Sequence, residues 1–224
     1  MDSTLPKINK VGIQLIGISG KANVGKDEVA SYLRRQYEST YIYPFAAQLK
    51  LACAVLFGIP IEHFHQRDIK ELTNTYWGVS PRQIAQFVGT ETARQGFSTL
   101  LGGTSNNFWI KRLNDHINGQ LLYHSDNGEW TGEIVTGDTI VVPDVRFQNE
   151  YDWIISNGGT VIQLTRPGSD GKVGIAGHAS EMGYNNISTE RTYQCVNDGT
   201  LDELFVKIDE IMKTTEPTAA SMEL

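Results

Sequence analysis

A glycine-bearing segment near the start of the chain has residue types and spacing that suit phosphate binding. Gly20–Asp27 reads Gly-Lys-Ala-Asn-Val-Gly-Lys-Asp and matches G-x-x-x-x-G-K. Glycines allow a tight turn in which successive N–H groups point inward, and the lysine of this pattern reaches the β- and γ-phosphates of a nucleotide. An ordinary glycine turn is the alternative. The flanking sequence favours phosphate binding, because an apolar run, Val11–Ile18, precedes the loop and a helical pattern, Lys26–Tyr37, follows it.

Asp27 departs from the usual form of this pattern, in which a serine or threonine hydroxyl binds magnesium. A carboxylate at this position could bind the metal directly or through a water molecule. It could equally complement the positive end of the helix that begins here. The sequence leaves both interpretations open.

A second acidic position follows the β-branched run Thr139–Pro143, which predicts a buried strand that ends at Asp144. The pattern Asp-x-Arg then places Asp144 and Arg146 at the carboxyl end of that strand, where open α/β sheets bind their ligands. Asp144 is therefore a candidate magnesium ligand. The alternative is a capping aspartate followed by a surface arginine.

Arg82 and Gln86 lie four residues apart on a predicted helix that begins at Ser80-Pro81 and extends to about Gln95. A spacing of four puts both side chains on one face of the helix. A guanidinium and a carboxamide there could bind a phosphate and the edge of a base. A solvated helix face is the alternative interpretation.

The elements that must position these residues alternate along the chain between strands and helices. Strands are predicted over Val11–Ile18, Thr40–Phe45, Thr139–Pro143, Thr160–Leu164 and Tyr193–Val196. Helices are predicted over Lys26–Tyr37, Ala46–Phe57, Pro81–Gln95, Asn107–Ile117, Gln148–Ser156 and Leu201–Met212. This alternation predicts an α/β fold with three layers, in which helices cover both faces of a mostly parallel five-stranded sheet.

Two connecting segments are long or irregular. Residues 166–192 are rich in Gly, Ser and Asn, which predicts a mobile lid. Arg166 begins this segment, and an arginine on a closing loop can neutralise charge that develops on a transferred phosphoryl group. Arg191 lies at its other end, and either arginine could instead be a plain surface cation. Residues 121–137 carry a hairpin signal, Asp126–Gly128, and are predicted to decorate the fold.

Composition excludes several classes of protein. The chain has 224 residues and a formal net charge of −7, so it has no overall basic field to hold long nucleic acid. Its two cysteines are far apart, which predicts buried thiols in a reducing compartment. No run of eighteen apolar residues occurs, so no membrane partner and a cytoplasmic location are expected. A single domain over residues 1–214 and a flexible tail over 215–224 are predicted.

Several short motifs occur in one familiar order: Gly20–Asp27, Phe45–Lys50, Pro81–Gln83, Gly89–Glu91, Pro143–Arg146, Arg166–Gly168, His178–Glu181 and Asn197–Leu201. Together they resemble the bacteriophage deoxynucleoside monophosphate kinases, a P-loop nucleoside monophosphate kinase family, over most of the chain. The resemblance implies ATP as phosphoryl donor, Mg²⁺, and phosphorylation of deoxynucleoside monophosphates to diphosphates for viral DNA synthesis. In the host cell such an enzyme would be cytoplasmic.

The resemblance also implies roles for individual residues. Those implied to bind ATP are Gly20, Asn23, Val24, Gly25, Lys26, Asp27, Glu28 and Asn197. Those implied to bind the acceptor are Lys50, Arg82, Gln86, Trp109, Asp144, Arg146 and Glu150, within or beside an acceptor-binding insertion over residues 58–118. Those implied to act in transfer are Lys26, Arg82, Asp144, Arg146 and Arg166, with Asp27 and Asp144 at the metal.

The sequence departs from the family pattern in two places that affect the choice of acceptor. Gln48 stands where a proline often precedes Leu-Lys, and residues 58–79 form a shorter segment than the family's acceptor-side insertion. The base that is accepted therefore stays open. The sequence separately leaves open the choice between monomer and homodimer. One alternative is a kinase of another small metabolite, similar to phosphomevalonate or dephospho-coenzyme A kinases. Another is a nucleotide-hydrolysing switch, although no Asn-Lys-x-Asp guanine motif is present.

Overall fold

The computed structural model describes residues 5–120, 138–169, 187 and 189–215. The chain divides into two compact units. The first, here called the helical unit, comprises Met1–Ile8, Tyr43–Ile134 and Lys172–Gly183. The second, here called the sheet unit, comprises Asn9–Ile42, Val135–Gly171 and Tyr184–Leu224. The organisation of residues 1–214 as a single domain with an insertion stays a prediction.

Both units consist of short, regular elements. The strands are β1 (Gln14–Ser19), β2 (Thr40–Ile42), β3 (Thr139–Val145), β4 (Thr160–Thr165) and β5 (Thr192–Val196). The helices are α1 (Lys26–Gln36), α2 (Ala47–Phe57), α3 (Glu62–His65), α4 (Pro81–Phe87), a π-helix (Val88–Gly96), α5 (Ser98–Leu101), a 3₁₀ helix (Gly102–Asn107), α6 (Phe108–Ile117), α7 (Gln148–Ser156) and α8 (Leu201–Thr215).

The sheet unit contains one five-stranded sheet in the order β2-β3-β1-β4-β5, and all four strand pairs are parallel. The predicted α/β class is therefore confirmed, and the sheet is parallel throughout its described strands. Strand β1 lies at the centre, where Ser19 pairs with Val145 of β3 and with Gln163 of β4. The carboxyl ends of these three strands consequently lie at one edge of the sheet.

Helices cover both faces of this sheet. On one face, Ile16 and Ile18 of β1 share a buried core with Val29 and Leu33 of α1 and with Ile208 of α8. On the other face, α7 packs so closely that a Cβ at Gly17 of β1 would meet Ile154 and Val145 side chains. Each fully buried aliphatic side chain contributes about 1.5–3 kcal/mol of transfer free energy. Packing on both faces thus fixes β1 and the loop that follows it.

Some element boundaries differ from the predicted ones. Strand β1 begins at Gln14 rather than Val11, because Val11 is 79% exposed and Gly12 has a φ of 75° in a turn. Strand β2 ends at Ile42. Helix α8 includes Thr215, which was expected to begin the tail. The rest of the tail, the hairpin over 121–137, and residues 170–186 and 188 of the predicted lid lie outside the described residues.

The helical unit contains the predicted start of α4 and an unexpected continuation. Ser80 Oγ accepts a hydrogen bond from Gln83 N, and Gln83 Oε1 accepts one from Ser80 N, which confirms the predicted cap. The helix was predicted to run as one α-helix to about Gln95, but it becomes a π-helix after Phe87. At that transition the Gly89 carbonyl accepts a hydrogen bond of 3.0 Å from Trp109 Nε1. Gly89 also packs against Leu49, whose Cδ2 would lie 2.6 Å from an added Cβ.

Cys53 and Cys195 are buried free thiols, as predicted. Burial raises the pKa of Cys53 to about 12, so its thiol stays protonated near neutral pH. Burial also raises the pKa of Cys195 above its usual value. None of the helices in the described part of the chain has the length and apolar character needed to cross a membrane.

Candidate active site

The loop between β1 and α1 has the backbone geometry that a phosphate-binding turn requires. Three of its residues have positive φ angles, which are 139° at Gly20, 65° at Asn23 and 106° at Gly25. A Cβ at Gly20 would clash with the Leu164 carbonyl oxygen, so the loop lies directly against the end of β4. Gly20 and Gly25 are thus needed both for their backbone angles and for close packing.

Lys26 lies at the first position of α1 and reaches back over the loop. Its Nζ atom donates hydrogen bonds of 2.7 Å to the Gly20 carbonyl and 2.7 Å to the Lys21 carbonyl. A phosphate oxygen is a stronger acceptor for an ammonium group than a neutral carbonyl, because the bond is then between two charged groups. The ammonium group therefore lies next to the loop, where phosphate oxygens can replace the two carbonyl oxygens as its hydrogen-bond acceptors.

The N-terminus of α1 adds further hydrogen-bond donors. Gly25 is the N-cap residue and offers no side-chain cap to the first N–H groups of the helix. Such N–H groups and the positive end of the helix favour a bound anion. Asp27 and Glu28 lie in the first turn, and both are exposed. Exposure suits either role of Asp27, so metal binding and helix-dipole complementation both stay predictions.

Asp144 and Arg146 lie at the same edge of the sheet as this loop. Asp144 is half-buried near the end of β3, one residue before Val145, which pairs with Ser19 at the end of β1. Glu150 is 2% exposed, and its Oε2 accepts hydrogen bonds of 2.8 Å from Arg146 N and 3.1 Å from Phe147 N. Glu150 thus fixes the turn that follows Asp144. Its predicted contact with an acceptor stays a prediction.

The two lid arginines lie at opposite edges of the sheet. Arg166 is exposed and directly follows β4, at the edge where the loop after β1 also lies. Arg191 precedes β5, and its Nη1 donates a hydrogen bond of 2.8 Å to the carbonyl of Gly158, which precedes β4. Of the two, Arg166 lies at the same edge as the loop after β1, and its action in transfer stays a prediction.

Asn197 follows β5 and contacts the loop between β1 and α1, residues 20–25, here called the phosphate loop. It is 4% exposed, and its Nδ2 donates a hydrogen bond of 2.9 Å to the Val24 carbonyl. Its backbone N–H donates a hydrogen bond of 2.8 Å to the carbonyl of Thr165 at the end of β4. The sequence predicted that Asn197 binds the nucleotide. In the structure, its side chain forms a hydrogen bond to the backbone of the phosphate loop.

The helical unit carries a row of polar side chains that are largely withdrawn from water. Arg82 and Gln86 of α4 continue into Thr90 and Arg94 of the π-helix, each four residues after the last. The Arg82 side chain is 12% exposed, and Gln86, Thr90 and Arg94 are 8%, 6% and 5% exposed. Four residues make slightly more than one turn of an α-helix and slightly less than one turn of a π-helix. The four side chains therefore lie on one side of the helix that α4 and the π-helix form together. The solvated-face interpretation of Arg82 and Gln86 is therefore wrong.

Thr90 and Arg94 are candidate site residues that the sequence analysis missed. Two further steps of four residues from Gln86 lead to Thr90 and Arg94, so the spacing in the sequence could have indicated both residues. Arg94 is held by a hydrogen bond of 2.7 Å from its Nη1 to the Asn106 carbonyl. Two fixed guanidinium groups with an amide and a hydroxyl between them can bind a phosphorylated ligand that has further hydrogen-bonding groups.

Contacts around this row hold its members in place. Arg82 Nε lies 2.5 Å from Glu71 Oε1 in an ion pair. Trp109, which was predicted to bind the acceptor, is 8% exposed and donates a hydrogen bond to the carbonyl of Gly89, the residue before Thr90. Lys50 Nζ lies 3.3 Å from His65 Nδ1 on α3. Acceptor contacts by Lys50 and Trp109 stay predictions.

Comparison with known proteins identifies a viral protein that is similar in sequence. No family model matches the chain. Over 200 residues the chain is 30% identical to a protein of Acanthamoeba polyphaga mimivirus whose provisional name is deoxynucleotide monophosphate kinase. The match covers 87% of this chain and 93% of the relative. The relative comes from mimivirus, so the bacteriophage part of the sequence expectation has no specific support. The chain has a phosphate-binding loop between β1 and α1 of a parallel sheet, and it matches this relative along most of its length. It therefore belongs to the nucleotide kinase family.

Proposed function

We propose that the protein transfers the terminal phosphoryl group of ATP to a deoxynucleoside monophosphate and so forms the diphosphate. The observation that carries the proposal is the buried row in the helical unit, where Arg82 and Arg94 flank Gln86 and Thr90. Two arginine side chains that are largely withdrawn from water suit an acceptor that is itself phosphorylated. An amide and a hydroxyl suit an acceptor that also has a base and a sugar. The name of the viral relative supports the same substrate class.

On the donor side, the phosphate loop would hold ATP through its backbone N–H groups and the N-terminus of α1. Lys26 would contact the β- and γ-phosphates and stabilise the charge that develops on the transferred group. Arg166 would neutralise part of the same charge. The attacking oxygen of the acceptor phosphate is already ionised near neutral pH, so the transfer requires no side-chain nucleophile and no general base.

Mg²⁺ bound with the nucleotide would neutralise phosphate charge, and Asp27 and Asp144 would hold it, directly or through water. Carboxylate oxygens suit this metal, which binds through one or two carboxylates and substrate phosphates and keeps several waters. Across the described ranges, no group of three or more His, Cys, Asp or Glu side chains forms a dedicated metal cage. Two carboxylates, with water and phosphate oxygens, would complete the donor set of a metal that arrives with the nucleotide.

The test of the proposal is the rate of ADP formation from ATP with a panel of acceptors. The panel contains deoxynucleoside and ribonucleoside monophosphates, dephospho-coenzyme A and phosphomevalonate. We expect at least one deoxynucleoside monophosphate to accelerate ADP formation on the order of 10³-fold over basal hydrolysis, because acceptor positioning supplies much of the rate. A preference for either non-nucleotide acceptor would contradict the proposal.

Gly25→Ala tests the geometry of the phosphate loop. The added Cβ would lie 2.9 Å from Asn197 Nδ2 at a residue whose φ is 106°. We expect the dissociation constant for ADP, measured by titration, to rise at least about tenfold, which corresponds to about 1.4 kcal/mol. Gly158→Ala is the matched control, since Gly158 has a φ of 76° with no atom within 4 Å of its Cβ position. An equal loss of ADP affinity in both variants would show that general strain, and not the loop, is responsible.

Asp27→Asn separates the two interpretations of this exposed carboxylate. If Asp27 serves the metal, the variant should bind metal-free ADP a few-fold more tightly, because one repulsive charge is removed, and should gain less affinity from added Mg²⁺. Titrations of ADP in excess Mg²⁺ and in chelator give the ratio of affinities. Glu28→Gln removes a charge from the same exposed turn as a control. An unchanged ratio in Asp27→Asn would leave Asp27 as a helix-dipole residue.

A further inference from the structure

Asn197 lies beside the phosphate loop but bonds to its backbone. We propose that Asn197 is a positioning residue whose side-chain amide sets the orientation of the Val24–Gly25 peptide group, and so directs the Gly25 N–H into the loop. The inference rests on the proposed function only in that the loop binds nucleotide phosphates. It gives Asn197 an action through the loop, without a contact to the nucleotide.

The hydrogen bond that carries the inference has ordinary length and is shielded from water. Asn197 Nδ2 lies 2.9 Å from the Val24 carbonyl oxygen, and the bond is buried. The opposite orientation of the amide would place two oxygen atoms against each other, so chemistry requires the nitrogen at this position. A buried carbonyl that loses such a donor bears an unfavourable desolvation cost. The Val24 carbonyl is therefore strongly held toward Asn197.

The position of Asn197 is itself fixed from both sides. Its backbone N–H bonds to the Thr165 carbonyl at 2.8 Å. The next residue, Asp198, forms an ion pair of 2.6 Å with Lys207 of α8, and Lys207 also donates to the Val196 carbonyl at 2.9 Å. This ion pair lowers the pKa of Asp198 below its usual value. These contacts join the turn between β5 and α8, which carries the Asn197 amide, to the end of β4 and to α8.

Val24 is also held by its side chain. It is 1% exposed and belongs to the core cluster that contains Leu164 and Leu204. A side chain fixed in the core and a carbonyl fixed on Asn197 leave the residue little freedom to rotate. Gly25 completes the arrangement, because its missing Cβ leaves room for the amide at 2.9 Å.

The planarity of the peptide group between Val24 and Gly25 links the direction of its carbonyl to the direction of its N–H. In a trans peptide the C=O and N–H bonds point in opposite directions. When the Val24 carbonyl points to Asn197, the Gly25 N–H must point away from it. A flipped peptide would present the carbonyl in place of the N–H, and this oxygen would repel a phosphate. Glycine readily adopts either sign of φ, so Gly25 by itself does not prevent the flip. The hydrogen bond from Asn197 therefore favours the peptide orientation in which the Gly25 N–H points into the loop.

The inference predicts a specific effect of Asn197→Leu, which removes the donor at a similar volume. We expect the dissociation constant for ADP and the KM for ATP to rise about tenfold, the size expected for one buried hydrogen bond. The KM for the monophosphate should not change. In the nucleotide-free protein, the NMR signal of the Gly25 amide should shift or broaden, because its peptide group is no longer held in one orientation.

Asn157→Leu is the matched control in the same unit. Asn157 Nδ2 donates a hydrogen bond of 2.8 Å to the Trp153 carbonyl at the end of α7, away from the loop. This variant should lose stability without a change in ADP affinity or in the Gly25 signal. If Asn197→Leu does not fold, Asn197→Asp keeps the shape, removes the donor and is measured in the same way.

The results separate this inference from the proposed function. A wild-type protein that binds ADP but transfers no phosphoryl group to a monophosphate would contradict the proposed function, and the Asn197 comparison would still decide the inference. Variants of Asn197 that melt at a lower temperature yet keep wild-type ADP affinity and an unchanged Gly25 signal would overturn the inference. Asn197 would then be a purely structural residue.

Discussion

Lys26→Met should lower the kcat for phosphoryl transfer on the order of 10³-fold, while the protein remains folded and still binds the monophosphate. Methionine keeps most of the length of the side chain but removes the ammonium group that lies 2.7 Å from each of two loop carbonyls. That group would stabilise charge that appears only as the phosphoryl group is transferred, so the loss falls mainly on kcat. The measurement is steady-state ADP formation at saturating acceptor, with calorimetry for monophosphate binding.

Lys21→Met provides the control for this experiment. Lys21 belongs to the same loop, but its side chain is exposed and only its backbone carbonyl contacts Lys26. Removing its charge should change the rate by a few-fold at most, as expected for an exposed cation. Near-normal turnover in Lys26→Met, or equal losses in the two variants, would contradict the assignment of Lys26 to the transferred phosphoryl group.

Arg82→Met should raise the dissociation constant for the monophosphate by about 10- to 100-fold and leave that for ADP unchanged. A hydrogen bond to a charged group contributes about 1.5–3 kcal/mol, which gives this range. The Arg82 side chain is only 12% exposed, so water would compensate little for a lost phosphate contact. Calorimetric titrations with the monophosphate and with ADP give the two constants independently.

Glu71→Gln is the matched control, because it removes the charge that pairs with Arg82 and keeps the arginine itself. A guanidinium with less competition from a carboxylate should bind the acceptor phosphate as well as before, or more tightly. If Arg82→Met weakens ADP and monophosphate equally, or neither, then Arg82 has a structural role alone. Weaker acceptor binding in Glu71→Gln would indicate that the ion pair is needed to orient the guanidinium.

The sheet and the phosphate loop could be predicted from the sequence because their signals are local. A buried strand, two glycines and a lysine, and a helical pattern follow one another within Gln14–Gln36. Helix α7 was predicted at its observed bounds, Gln148–Ser156, for the same reason. The start of α4 could be predicted for the same reason, because its two signals, the serine cap Ser80 and the first-turn Pro81, are adjacent in sequence.

Other features could not be predicted because they depend on contacts between residues distant in sequence. The change from α- to π-helix after Phe87 coincides with the bond from Trp109 to Gly89, twenty residues away. That change keeps Thr90 and Arg94 on the same side as Arg82. Asn197 and Val24 are 173 residues apart, so only the folded sheet reveals their hydrogen bond. Patterns in sequence locate elements well, but they do not show which side chain supports which backbone group.

Transfer of the terminal phosphoryl group of ATP to a deoxynucleoside monophosphate is the reaction that we propose. The most direct test incubates the protein with ATP labelled at the γ-phosphate and with each deoxynucleoside monophosphate, and then separates the products. We predict label in a deoxynucleoside diphosphate, in an amount equal to the ADP formed, and a rate of labelling that is lower on the order of 10³-fold with Lys26→Met. Label that appears only as inorganic phosphate, at a rate independent of any monophosphate, would contradict it.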